Sequence, residues 1–147
     1  MERVFVSRVI DASADTVWQA VRDFNGMPDW HPAIADSEIE DGRAPDAVGC
    51  VRSFHLADGS HLREQLTELS DAYRMMRYVI LDSPMPVTGY DASLQILPVT
   101  EGDACLACWE AEFEVSQDDD GATVDTVTNG VFRAGLEALA AQLERPG

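Results

Sequence analysis

The spacing of apolar residues changes from a strand pattern to a helical pattern within the first 25 residues. Residues 3–10 alternate between apolar and polar, which predicts a strand. Ser13 then precedes an apolar face with helical spacing, and a serine there is suited to cap a helix. That face consists of Val17, Trp18, Val21 and Phe24. We therefore predict a strand and a short amphipathic helix that ends at Asn25-Gly26.

Two prolines interrupt the chain directly after this helix. Pro28 and Pro32 flank Trp30 and His31, so residues 27–33 can form only a short helical turn or an elbow. Six runs typical of strands follow, at residues 34–39, 48–56, 62–69, 73–81, 90–97 and 104–115.

The last predicted element is one long helix over residues 122–143. Gly130 and Gly135 interrupt it, and a glycine on an inward face leaves room for a neighbour. Its apolar stripe consists of Val124, Val127, Val131, Leu136, Leu139 and Leu143. With no internal repeat and no linker, the pattern predicts one α+β domain over residues 1–147.

The parity of apolar residues predicts the shape of the turn at Asp58-Gly59. A two-residue turn would place Leu56 and Leu62 on opposite faces of the sheet. An odd-length loop with Gly59 in a left-handed conformation keeps both leucines on one face. We therefore expect a bulged hairpin.

Charge and composition exclude several classes of function. The 147 residues carry 27 acidic and 10 basic side chains, for a net charge of −17. Such a surface repels nucleic acid and anionic membranes. No apolar run is long enough for stable membrane insertion, and no secretion signal is recognisable, so we expect a cytoplasmic protein.

The cysteines and the remaining histidines do not indicate redox or metal chemistry. Cys105 and Cys108 lie three apart in a predicted strand and therefore point to opposite faces. His55 and His61 share the outer face of the hairpin without a regular third ligand. No nucleotide-binding or hydrolase motif occurs, so neither a metal nor a cofactor is expected.

The order of several short motifs resembles the START/Bet v 1-like superfamily, and within it the polyketide cyclase/dehydrase and lipid-transport branch. The motifs are Trp18, Trp30-x-Pro32, Gly49-x-x-Arg52, Asp58-Gly59, Glu64-x-Leu66 and Trp109…Phe113. The resemblance implies a helix-grip fold, in which a seven-stranded antiparallel sheet curls around the C-terminal helix, with two short helices between the first two strands. It also implies an elongated apolar cavity, but no particular reaction.

The cavity implied by the resemblance has a predicted lining. Its members are Trp30, His31, Arg52, Phe54, Leu56, Leu62, Glu64, Tyr78, Ile80, Val87, Tyr90, Glu110, Val127, Val131 and Gly135. Among them, Arg52 and Glu64 have the parity of the inner face and should lie diagonally on neighbouring strands. They could anchor a polar ligand group or supply an acid or base; alternatively, they form a buried ion pair that braces the sheet.

Other members of this lining have two readings. The resemblance places Glu110 inside, whereas the alternation around Trp109 places it outside. Tyr78 and Tyr90 are either ligand contacts or ordinary core tyrosines. Trp30 is expected at the cavity mouth, and His31 is either a ligand contact or base, or an exposed loop histidine.

Three hypotheses about function follow. The first is a protein that binds a small hydrophobic or amphipathic ligand between the sheet and the last helix. The second is a polyketide cyclase or dehydratase, with Glu64, His31 or Tyr90 moving a proton. The third is a non-catalytic interaction module, such as a homodimer.

Overall fold

The computed structural model describes residues 1–146, and these residues form a seven-stranded antiparallel sheet. The strands are β1 (Glu2–Ile10), β2 (Ile34–Ile39), β3 (Val51–Leu56), β4 (His61–Ser70), β5 (Met75–Asp82), β6 (Val87–Val99) and β7 (Ala104–Val115). Their order in the sheet is β1-β7-β6-β5-β4-β3-β2, so β1 and β2 form the two edges. The predicted sheet is therefore confirmed.

The first helix, α1 (Ala14–Val21), begins where the sequence predicts and ends earlier. The Ser13 hydroxyl accepts a hydrogen bond from the Thr16 amide at 3.1 Å. After the helix, the Asp23 carboxylate accepts one from the Asn25 amide at 2.9 Å, and such local bonds compete with helix continuation. A single 3₁₀ turn, Met27–Asp29, follows and forms the expected elbow.

The C-terminal helix, α2, is helical over the predicted length but is not a uniform α-helix. It consists of Ala122–Asp125, a π-helical segment Thr126–Arg133, and Ala134–Leu143. None of the helices in residues 1–146 combines the length and apolarity that crossing a bilayer requires.

The hairpin between β3 and β4 has the predicted bulged form. Phe54 pairs with Leu62, and the Leu56 amide donates to the Ser60 carbonyl at 2.9 Å, so residues 57–59 form an odd-length loop. Gly59 has φ +90°, a backbone conformation that is unfavourable for residues other than glycine. The buried faces of β3 and β4 therefore point to the same side, toward α1 and α2.

Two strands begin later than predicted. β3 starts at Val51 because Gly49 has φ +95° and the Cys50 amide closes a turn onto Ala47. β5 starts at Met75 because Arg74 adopts φ +50° at the end of a turn.

Candidate ligand-binding cavity

A cavity of about 410 Å³ lies between the inner face of the sheet and the first half of α2. Most of the side chains around it are apolar, and its polar groups are few. Nine residues of the predicted lining border it: His31, Phe54, Leu56, Leu62, Glu64, Tyr78, Ile80, Tyr90 and Val131.

Six residues of the predicted lining do not border the cavity: Trp30, Arg52, Val87, Glu110, Val127 and Gly135. Glu110 is exposed on the outer face of β7, because Trp109 and Ala111 on either side of it are buried. Placing Glu110 inside was therefore wrong, and the strand alternation was the better guide. Val127 is buried in the core, and Val87 packs against its margin.

Several lining residues were not predicted. Trp109 borders the cavity, and the alternation in β7 is the sequence signal for its inward orientation. Met85, between two prolines, also contributes, but it lies in a loop where no periodicity marks the inward side. Thr123, Thr126 and Gly130 come from α2 and are not members of its apolar stripe.

Exposed lining residues identify the mouth of the cavity. Asp58 from the β3–β4 loop, Pro84 and Pro86 from the β5–β6 loop, and Thr126 from α2 are all exposed. Trp30 is instead buried, with its ring 5.8 Å from that of Trp109. The elbow therefore supports a closed wall, and its predicted place at the entrance was wrong.

The inner polar end of the cavity is built on a buried ion pair. Arg52 and Glu64 are direct partners across β3 and β4, not diagonal neighbours as expected. The Arg52 Nε and Nη2 groups donate to Glu64 Oε1 at 2.9 and 2.7 Å, and Nη1 donates to the Phe24 carbonyl at 3.1 Å. The guanidinium carbon lies 3.9 Å from the centre of the Phe24 ring. Arg52 thus lies behind Glu64 as seen from the cavity.

Only one of the two Glu64 carboxylate oxygens is hydrogen-bonded among the described residues. Both contacts from Arg52 reach Oε1, and Oε2 makes no hydrogen bond within residues 1–146. Burial raises the pKa of the Glu64 carboxyl, while the charge and hydrogen bonds of Arg52 oppose that rise. Protonating Glu64 would leave Arg52 as an unpaired buried cation, so we assign the ionised pair at neutral pH.

Two tyrosine side chains border the same cavity. The Tyr78 hydroxyl oxygen accepts a hydrogen bond from Trp109 Nε1 at 3.0 Å, which leaves its own O–H to donate. Tyr90 stacks on Phe113 with ring centres 5.3 Å apart. Burial raises the pKa of both hydroxyls, so both tyrosines stay protonated and neutral.

His31 is buried, with 1% of its surface exposed, so the exposed-loop interpretation was wrong. Its Nε2 donates to the Val131 carbonyl at 2.7 Å, and its Nδ1 accepts from the Ala33 amide at 3.1 Å. This arrangement requires the neutral ring with its proton on Nε2. Burial lowers the pKa of His31, which agrees with that tautomer.

The sequence profile of polyketide cyclases/dehydrases and lipid transport proteins matches residues 1–144. The chain belongs to this family. The resemblance to the polyketide cyclase/dehydrase and lipid-transport branch of the START/Bet v 1-like superfamily is thereby confirmed. No curated protein matches it in sequence.

Solved structures agree with this family membership. An uncharacterised protein from Bacillus thuringiensis is 31% identical with a TM-score of 0.85, covering 96% of this chain and 98% of its own. The protein XoxI from Bacillus cereus is 31% identical with a TM-score of 0.87, covering 97% and 96%. Norcoclaurine synthase from Thalictrum flavum, solved with a transition-state analogue, is 19% identical with a TM-score of 0.75, covering 96% and 92%. At that identity, the synthase shows only a shared fold.

Gly135 of α2 lies directly against His31 of the elbow and Trp109 of β7. A Cβ atom there would lie 2.6 Å from His31 Cδ2 and 2.9 Å from Trp109 Cζ3. Both rings are held by hydrogen bonds, so neither can move freely. Gly135 therefore fixes the packing beneath the cavity instead of lining it.

We expect Gly135→Ala to lower the free energy of unfolding by about 1–3 kcal/mol, because it overpacks this site. Gly130→Ala is the matched control on the same helix, since its Cβ would meet only Thr126 Cγ2 at 3.9 Å. The control should be neutral or stabilising by up to about 1 kcal/mol through helix propensity. Urea denaturation measures both; equal effects would contradict the close approach at Gly135.

The buried neutral His31 predicts acid sensitivity. Burial lowers the pKa of His31 in the folded protein below the ordinary histidine value of about 6.5. Below that pH, His31 binds a proton more readily in the unfolded chain than in the folded protein. Stability should therefore fall as the pH drops below that value, by at most about 1.4 kcal/mol per pH unit from this group. Urea denaturation at a series of pH values should show a weaker fall for His31→Gln. The exposed control His61→Gln should retain the full dependence, and an unchanged slope in His31→Gln would contradict the assignment.

Proposed function

We propose that the protein binds a small amphipathic molecule in this cavity, with the ligand's polar group beside Glu64. The observation that carries the proposal is the combination of an apolar cavity of about 410 Å³ and a bordering carboxylate, Glu64, whose second oxygen makes no hydrogen bond among the described residues. Ligand cavities are typically apolar with a few polar groups that orient the ligand, and their volumes are roughly 300–1,000 Å³.

Native mass spectrometry of gently purified protein tests this proposal, because a bound ligand adds a discrete mass. Thr126→Trp is the blocking variant: Thr126 is exposed at the mouth, so the indole should obstruct entry with little loss of stability. Asn129→Trp is its control on the exposed side of α2, away from the cavity lining. Equal retention of the ligand in both variants argues against the proposal. So does a wild type that carries no ligand as purified and takes up none when lipid extract is added to it.

A second candidate is proton transfer on the bound molecule, as a cyclase or dehydratase would need. The observation that favours it is the position of Glu64, which borders the cavity and whose pKa is raised by burial. The extracted ligand, incubated with wild type and with Glu64→Gln, distinguishes the two functions. Loss of water or conversion to an isomer only with wild type supports catalysis; an unchanged ligand supports binding alone.

A further inference from the structure

We infer that the ligand's polar group is an uncharged hydroxyl, of an alcohol or a phenol, and that the cavity discriminates against carboxylates. The inference rests on the proposed function, because it concerns the same cavity. It follows from the hydrogen-bonding groups of the described lining residues and from the absence of an available cation among them.

The cavity presents an acceptor with a negative charge. Glu64 borders the ligand space, its Oε1 is occupied by Arg52, and its Oε2 is available. A ligand group that donates a hydrogen bond can satisfy Oε2. A carboxylate cannot donate and would place a second negative charge in a buried site.

The cavity presents no available cation to a carboxylate. The chain contains no lysine; all ten basic residues are arginines. Among the described residues, the cavity lining includes no arginine, and the charge of Arg52, which lies behind Glu64, is paired with the Glu64 carboxylate. His31, the one histidine of that lining, is neutral and uses both ring nitrogens in hydrogen bonds to the backbone.

The cavity also presents a donor beside this acceptor. The Tyr78 hydroxyl oxygen is already an acceptor for Trp109, so its proton is available to a ligand, and Tyr90 adds a second hydroxyl. Tyr78 pairs with Leu66 across β4 and β5, two residues along β4 from Glu64, and both tyrosines border the same cavity as Glu64. A ligand hydroxyl both donates to Glu64 and accepts from a tyrosine, whereas an ammonium group can only donate.

Matched alkyl probes test the inference by isothermal titration calorimetry at pH 8, where the acids are ionised. The probes are 1-octanol, 1-decanol and 1-dodecanol, the carboxylates of the same lengths, and decylamine. We expect the alcohols to bind and each carboxylate to bind at least about tenfold more weakly than its alcohol. Carboxylates that match the alcohols, or decylamine that binds tighter than decanol, would overturn the hydroxyl assignment and leave the proposed function intact. If none of the probes binds, the proposed function itself fails.

Two variants connect this preference to named atoms. In Glu64→Gln the repulsion is lost and Arg52 is left without its counter-ion, so decanoate should gain at least about tenfold relative to decanol. Circular dichroism checks that the variant is folded. Tyr90→Phe is the milder second variant: it should weaken decanol about five- to tenfold by removing a hydrogen bond. Its control, Tyr73→Phe, changes a tyrosine that is 73% exposed and should leave affinity unchanged. An unaltered preference in Glu64→Gln, or unaltered decanol binding in Tyr90→Phe, would contradict the inference.

Discussion

Replacing Arg52 with methionine should lower the free energy of unfolding by about 3–5 kcal/mol, because Glu64 would remain as a buried charge without its partner. Only 4% of the Arg52 side chain and 7% of the Glu64 side chain are exposed, so water cannot compensate for the loss. The double variant Arg52→Met, Glu64→Leu should recover most of this stability, because two apolar side chains can replace a buried ion pair with little net effect.

A surface pair provides the control for this experiment. Arg77 and Asp91 also join neighbouring strands, at 3.1 Å, but 47% and 42% of their side chains are exposed. Arg77→Met should therefore change stability by no more than about 1 kcal/mol. Urea denaturation, followed by tryptophan fluorescence, measures the free energy of unfolding of the wild type and of the three variants. A loss in Arg52→Met as small as that in Arg77→Met would show that Glu64 is not held as a buried charge.

Trp109→Ala should be comparably destabilising, by about 3–5 kcal/mol, and should also change what the cavity accepts. The indole stacks on Phe132 with ring centres 4.5 Å apart and donates to Tyr78. Removing the indole would enlarge the cavity from below. Longer or bulkier alcohols should therefore bind more tightly to the variant than to the wild type.

Trp18→Ala separates these two effects. Trp18 and Trp109 are equally buried, at 2% and 1% exposure, and each donates a hydrogen bond from its indole. Only Trp109 borders the cavity. Unfolding followed by circular dichroism should show similar losses, whereas a length series of alcohols should shift only for Trp109→Ala. A parallel shift in Trp18→Ala would mean that general loosening, and not the cavity wall, determines ligand size.

Features that depend on a few neighbouring residues were predictable from the sequence. The Ser13 cap and the bulged turn at Gly59 follow from local hydrogen bonding and from side-chain parity. The same parity placed Arg52 and Glu64 on the inner face. Their direct pairing follows once the loop is centred on Asp58, which is a matter of register that the residue pattern alone did not determine.

Features that depend on distant contacts were not predictable. His31 is buried because it meets Val131, 100 residues later in the chain, and nothing near the elbow marks that contact. The sequence does contain a sign of the π-helical segment. The buried apolar residues step by five from Val127 to Phe132, where an α-helix would step by three or four.

The π-helical segment carries most of the residues that α2 contributes to the cavity, and an α-helical segment with buried leucines follows it. Thr126, Gly130 and Val131 border the cavity from within this segment, whereas the buried anchors Leu136 and Leu139 lie after it. Because each residue of an α-helix turns the chain by about 100°, deleting one residue within the segment would rotate the residues before the deletion against the buried leucines. The number of residues in this segment is thus constrained, because a change in length would rotate the cavity residues away from their present positions. A substitution of a cavity residue within the segment, by contrast, leaves Leu136 and Leu139 in register with the sheet.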